Sequence, residues 1–169
     1  MLKLSLALCA ALLLSACVER TPATVSFSVA EAAFIKKPGT GVITGHAFRT
    51  KPSGVVVNGA GEVVRLIPAT GYTRERFRNL YGARKYVPHR AYPRDDNPDP
   101  AYAEYTRTTK AEANGRFVFE NVAPGEYFIT TQVIWGDEDA LFREGGSVYD
   151  SVIVTGKEKE PIGVILSGN

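Results

Sequence analysis

The stretch from Asn114 to Ile129, reading Asn-Gly-Arg-Phe-Val-Phe-Glu-Asn-Val-Ala-Pro-Gly-Glu-Tyr-Phe-Ile, constrains the fold more than any other. Asn114-Gly115 is a tight-turn dipeptide, because both residue types tolerate the positive φ that such turns demand. Phe117 and Phe119 then alternate with Arg116, Val118 and Glu120, the period-two mark of a strand with one buried face. Pro124-Gly125 is a second turn, Pro presetting φ and Gly taking the left-handed position. Tyr127 and Ile129 begin the next alternating run. Turn, strand, turn, strand within sixteen residues predicts a hairpin.

The same grammar runs through most of the chain. Alternating runs are expected at Val42–Phe48, Val55–Val57, Glu62–Thr70, Thr106–Ala111, Glu126–Trp135, Ser147–Thr155 and Pro161–Leu166. In the third of these, Val64 and Leu66 share one face while Val63, Arg65 and Ile67 share the other. The run is apolar enough to be a central strand, with Pro68 ending its pairing. Asn58-Gly59, Gly136–Asp139, Gly145-Gly146 and Lys157–Glu160 read as turns between strands. Sixteen Gly and ten Pro in 169 residues fit many short strands, and the length supports one domain with a real core. The expectation is an all-β, about seven-stranded Greek-key β-sandwich.

The first sixteen residues do not belong to that fold. Lys3 supplies a positive start, Leu4–Leu14 an apolar run too short to span a bilayer, and Leu14-Ser15-Ala16-Cys17 a small-residue close. Leu-Ser-Ala-Cys resembles the bacterial lipobox, which implies removal of residues 1–16 and acylation of Cys17. Cys9 would leave with the leader, so no thiol would remain for a disulfide, a metal or nucleophilic chemistry. Several acyl chains anchor a domain stably, at roughly 0.8 kcal/mol per buried methylene. By analogy with other bacterial lipoproteins, Val18 after the cysteine points to the outer membrane. Residues 17–40 would then be a tether, with Val25–Val29 a candidate first strand, and 41–169 the sandwich.

Residues 71–105 break the pattern and read as one long insertion. Arg74, Arg76, Arg78, Arg84, Arg90, Arg94 and Lys85 face a single acid, Glu75, so 71–94 carries a net +6. With Lys3 removed, nineteen cations face eighteen anions in the whole mature chain, leaving the remainder near −5. Phe77, Leu80 and Tyr81 fall at i, i+3 and i+4, which predicts a short helix over 73–84 stopped by Gly82. From Pro88 on, Pro93, Pro98 and Pro100 are expected to forbid regular structure, and Asp95–Asp99 reads as an exposed loop.

Thr108–Tyr127, with its threonine-rich strand, Asn-Gly turn, aromatic strand and Pro-Gly-x-Tyr turn, resembles the carboxypeptidase regulatory-like group of transthyretin-like sandwiches. Gly45–Phe48 and Gly59–Leu66 are similar to that group's opening strand and the turn into its second. The resemblance covers about half the mature chain and leaves 71–105 outside. It implies a usually non-catalytic spacer or binding module, and the fold alone does not say which.

Enzymes on related sandwiches can be checked residue by residue. A hydroxyisourate hydrolase would end Tyr-Arg-Gly-Ser, whereas this chain ends Ile165-Leu166-Ser167-Gly168-Asn169. An intradiol dioxygenase would need two closely spaced His for iron, but His46 and His89 lie far apart. Asp95, Asp96, Asn97 and Asp99 lack the spacing of a calcium loop. No metal or cofactor is expected. The insertion is the candidate contact surface, through Arg74, Arg76, Arg78, Tyr81, Arg84, Arg90 and Tyr92, because guanidinium groups stack on rings and grip carboxylates. The reading is a non-catalytic, lipid-anchored envelope protein that binds or braces an anionic glycan or a protein, with no nucleic-acid role. Two alternatives stay open: a structural spacer whose insertion packs on its own sandwich, and an envelope enzyme centred on His89.

Overall fold

The computed structural model describes residues 24–93, 97–136 and 143–168. Cys17, the acids Asp95 and Asp96, and the acidic turn at 137–139 lie outside them. Among the described residues nine strands form: β1 (Gly41–Thr50), β2 (Val56–Asn58), β3 (Val63–Pro68), β4 (Tyr86–Pro88), β5 (Arg107–Lys110), β6 (Arg116–Val122), β7 (Gly125–Trp135), β8 (Glu144–Val154) and β9 (Ile162–Leu166). One sheet has the order β4-β8-β7-β3-β5, all antiparallel. In the other, β1 pairs antiparallel with β2 and β6, and parallel with β9. The all-β sandwich is as expected, with two more strands than the count of seven.

The core fills the space between the sheets. Ile43, Val64, Leu66, Phe117, Tyr127, Ile129, Val133, Val148 and Leu166 are buried there. The alternation in β3 is real: Val64 and Leu66 face this core, and Ile67 faces the opposite way. Pro68 is the last paired residue of β3, which lies between β7 and β5 as a central strand should.

The hairpin does not form. β5 belongs to the five-stranded sheet, β6 to the other, and β7 to the first again. The two turns therefore carry the chain across the sandwich and back. In the type I′ hairpin turn that Asn-Gly favours, both central residues adopt positive φ. Here only Gly115 does, at 80°, while the Asn114 side chain accepts a hydrogen bond from the Arg116 amide at 2.9 Å. Gly125 sits at φ 158°, close to extended, and is glycine because its α-carbon lies against the Phe34 ring. Tyr127 is fully buried, and its hydroxyl donates to the Ala123 carbonyl at 2.8 Å, fixing this second crossing. Burial pushes that hydroxyl up to about 12.

Three further expectations change. Val25–Val29 is not a strand: Ser28 caps a one-turn helix α1 (Val29–Ala32), accepting from the Glu31 amide. Pro100 does not prevent helix α3 (Pro100–Glu104). It occupies the first turn, where its missing N–H costs nothing, behind the Asp99 cap. Gly145-Gly146 is not a turn but the start of β8, where a side chain would collide with the backbone carbonyls of Val133 and Val87.

Candidate functional site

The insertion is a second layer on the outer face of the five-stranded sheet. Helix α2 (Gly71–Tyr81) begins at Thr70, whose hydroxyl accepts from the Thr73 amide while the Thr73 hydroxyl accepts from the Thr70 amide. Gly82 ends it at φ 60°. Glu31 adds a carboxylate at its N-terminus, accepting from the Gly71 amide at 3.0 Å, where the helix dipole favours negative charge. Phe77 and Tyr81 join Ile67, Val87 and Phe128 in a second buried cluster, with Phe77 stacked on Phe128 at 4.4 Å and 14°. Strand β4, inside the insertion, extends the same sheet by pairing with β8.

Between α2, this sheet and residues 92–93 and 97–102 lies a cleft of about 790 Å³. Its floor carries Ile67, Thr130 and Ser147, and the Tyr81 hydroxyl is within 2.7 Å of Ser147 and 3.0 Å of Thr130. Burial pushes that hydroxyl up to about 12. Its rim carries Arg65 and Gln132 from the sheet, Arg76 and Asn79 from α2, and Tyr92, Asn97, Asp99 and Tyr102 from the returning segment. The Arg76 guanidinium lies 5.5 and 5.4 Å from the Tyr72 and Tyr102 rings. Asp99 is fixed twice, its amide donating to the Tyr72 hydroxyl and its carboxylate accepting from Ala101 at 2.9 Å.

One wall comes from the segment that precedes α1. Phe27 sets its ring edge-on to Tyr72 at 5.5 Å and Tyr102 at 6.3 Å. The Glu75 carboxylate accepts from the amides of Thr24 and Val25, both at 2.9 Å. Those two amides, first that of Val25, hold the Glu75 carboxyl below its ordinary value. A lowered carboxylate pKa gives docking that is complete above the ordinary 4.5 and lost as the pH falls through the lowered value. Order parameters of the Thr24 and Val25 amides should therefore be high at pH 7 and drop in acid, while Glu75→Gln should loosen the segment at both. An acid-insensitive segment in the wild type contradicts this role.

The structure gathers only part of the candidate contact surface. Arg76, Tyr81 and Tyr92 line the cleft, and Arg74, Arg78, Arg84 and Arg90 do not. Arg74 makes a two-point pair with Glu126 at 3.0 and 2.6 Å, which raises the arginine pKa and lowers that of the glutamate. Lys85 reaches Asp150 at 2.7 Å. His89 sits in a single 3-10 turn away from the cleft lining, and His46 contacts the Asn58 side chain at 3.1 Å. Among the described residues no group of three or more His, Cys, Asp or Glu is placed to hold a metal. Sequence reasoning missed Arg65, Gln132, Asn79, Phe27 and Tyr102. The available signal was Ile67 and Phe128, large apolar residues on what should have been a solvent face, which require a covering layer.

The fold and the cleft define a β-sandwich with one capped outer face and a ligand-sized recess beneath the cap. No protein-family model matches the chain, and no curated protein does. A crystal structure from Pseudomonas aeruginosa, titled a "putative carbohydrate binding protein", is similar at 30% identity and a TM-score of 0.69, covering 85% of this chain and 98% of that one. At that identity and coverage the chain belongs to the same family as that protein.

Proposed function

We propose that this chain is a non-catalytic glycan-binding protein of the bacterial cell envelope, held to the membrane by lipid on Cys17. The observation that carries the reading is the cleft, where aromatic rings and hydrogen-bonding side chains converge in a volume typical of ligand sites. Half-buried Tyr92 and Tyr102 suit the C–H faces of pyranose rings, and the amide side chains suit their hydroxyls. The kinship with the Pseudomonas aeruginosa protein supports the carbohydrate assignment. The leader with its Leu-Ser-Ala-Cys close supports the address, and the Thr108–Tyr127 pattern supports a carboxypeptidase regulatory-like domain.

Immobilised envelope polysaccharide should retain the wild-type chain. The Asn97→Ala/Gln132→Ala double variant should bind at least tenfold more weakly, with its melting temperature within about 2 °C, as befits polar rim residues. Equal retention would discard the cleft, and no retention of the wild type would discard glycan binding. The spacer reading has its own support in the Arg74–Glu126 and Lys85–Asp150 pairs, which tie the insertion to its own sheet. It foresees no retention in either protein.

A further inference from the structure

We infer that the floor of the cleft selects its ligand through a donated hydrogen bond, a free hydroxyl of the sugar giving its proton to the Thr130 hydroxyl oxygen, a refinement that rests on the glycan reading above. Three hydroxyls meet on the outer face of the five-stranded sheet: Tyr81 from α2, Thr130 from β7 and Ser147 from β8. All three residues line the cleft. The Tyr81 oxygen lies 2.7 Å from that of Ser147 and 3.0 Å from that of Thr130, and the Thr130 and Ser147 oxygens are 3.4 Å apart. The sheet backbone takes two further bonds from the group. Thr130 donates to the Val148 carbonyl at 2.9 Å, and Ser147 to the Thr131 carbonyl at 3.3 Å.

A hydroxyl carries one proton and two lone pairs, so five approaches between oxygens share three protons. Two approaches therefore go without a proton, however the three are arranged. The carbonyls can only accept, which commits the Thr130 and Ser147 protons to the strands. Burial pushes the Tyr81 hydroxyl up to about 12, so it keeps its proton at neutral pH, and the shorter approach directs that proton to Ser147. No proton then lies between the Thr130 oxygen and its two hydroxyl neighbours, and this oxygen offers lone pairs alone. Among the described residues no N–H reaches it, neither from Arg65 opposite on β3 nor from Gln132 two residues along. Tyr81 and Ser147 are each 5% exposed, whereas Thr130 is half-buried, so the surplus opens to a ligand at Thr130. A sugar hydroxyl seated there relieves the surplus by donating. An ether or ester oxygen adds lone pairs where there are already too many, and displaces water that could have donated.

The test sets the full chain in detergent against immobilised envelope polysaccharide, with soluble methyl glycosides of hexoses and N-acetylhexosamines as competitors. The strongest competitor is then compared with its monodeoxy and monodeoxyfluoro analogues at each ring position, since fluorine accepts weakly and cannot donate. In the wild type both analogues at one position should compete at least tenfold more weakly than the parent, because a missing donor leaves the acceptor of the site unpaired. In Thr130→Val, which keeps the shape of the side chain, the parent should itself bind at least tenfold more weakly, and the same replacement should change competition less than twofold. A fluoro analogue that matches the parent at every position overturns the inference and leaves the glycan reading intact. So does a Thr130→Val protein that still loses tenfold at the same position. The analogue comparison needs only the wild-type chain, so it decides even where Thr130→Val melts early. Failure of every glycoside to compete removes the glycan reading and this inference together.

Discussion

Truncation of Phe77 to alanine should cost about 3–5 kcal/mol, the usual range for a buried Phe→Ala, and should strip the cap from the sheet. Phe77 is 6% exposed. Its ring stacks on Phe128 at 4.4 Å, meets Tyr149 edge-on at 5.0 Å and lies 5.4 Å from Tyr81. Three ring contacts thus converge on this one side chain. The helix has eleven residues, too few to persist once undocked, so losing the contact means losing the helix. For a chain of this size the melting temperature should fall by roughly 10 °C. Circular dichroism at 222 nm should weaken, and polysaccharide retention should disappear along with the cleft. A melting temperature within about 2 °C of the wild type would mean that the second cluster does not hold the cap.

Gly45→Ala should be nearly as damaging, by way of the other sheet. Gly45 lies in the middle of β1, opposite Phe117 on β6 and Val164 on β9. An added β-carbon would overlap the Phe117 ring, which is 2% exposed and packs edge-on to Phe119 at 6.1 Å. The ring has no empty space to enter, so the strands must part. Overpacking of this kind costs about 1–3 kcal/mol, and a buried aromatic against a central strand belongs at the upper end. Phe117→Leu should relieve the collision. The double variant should therefore be at least about 1 kcal/mol more stable than the sum of the two single effects, as coupled neighbours behave. Urea midpoints for the four proteins decide it, and strict additivity would rule out the collision.

These two positions also mark where the sequence was informative. Periodicity located β1, β3, β6 and β7, because alternation is a local property and each of these strands has one face on the core. Pairing is not local. Two turns so close together looked like a hairpin, yet β6 leaves its neighbours for the opposite sheet. The helix spacing of Phe77 and Tyr81 was legible for the same reason as the strands.

The cleft was not legible. Its residues come from β3, α2, β7, α3 and the approach to α1, so they are far apart in the chain and share no spacing. Arginine content drew attention to the segment that frames the cleft, where Arg76, Tyr81 and Tyr92 of the candidate residues line the recess and Arg74 pairs with Glu126. Asp99-Pro100 was a readable helix start, obscured by counting prolines instead of asking where in a turn each one falls.

The fastening of Thr24 and Val25 to Glu75 has a topographic outcome for an acylated protein. Seven peptide steps separate Cys17 from Thr24, a leash of at most about 25 Å when fully drawn out. Because Val25 and Phe27 are themselves lining residues, the mouth of the recess shares that low altitude. Such a molecule would sample sugars lying along the lipid headgroups and would not fish for strands far above them.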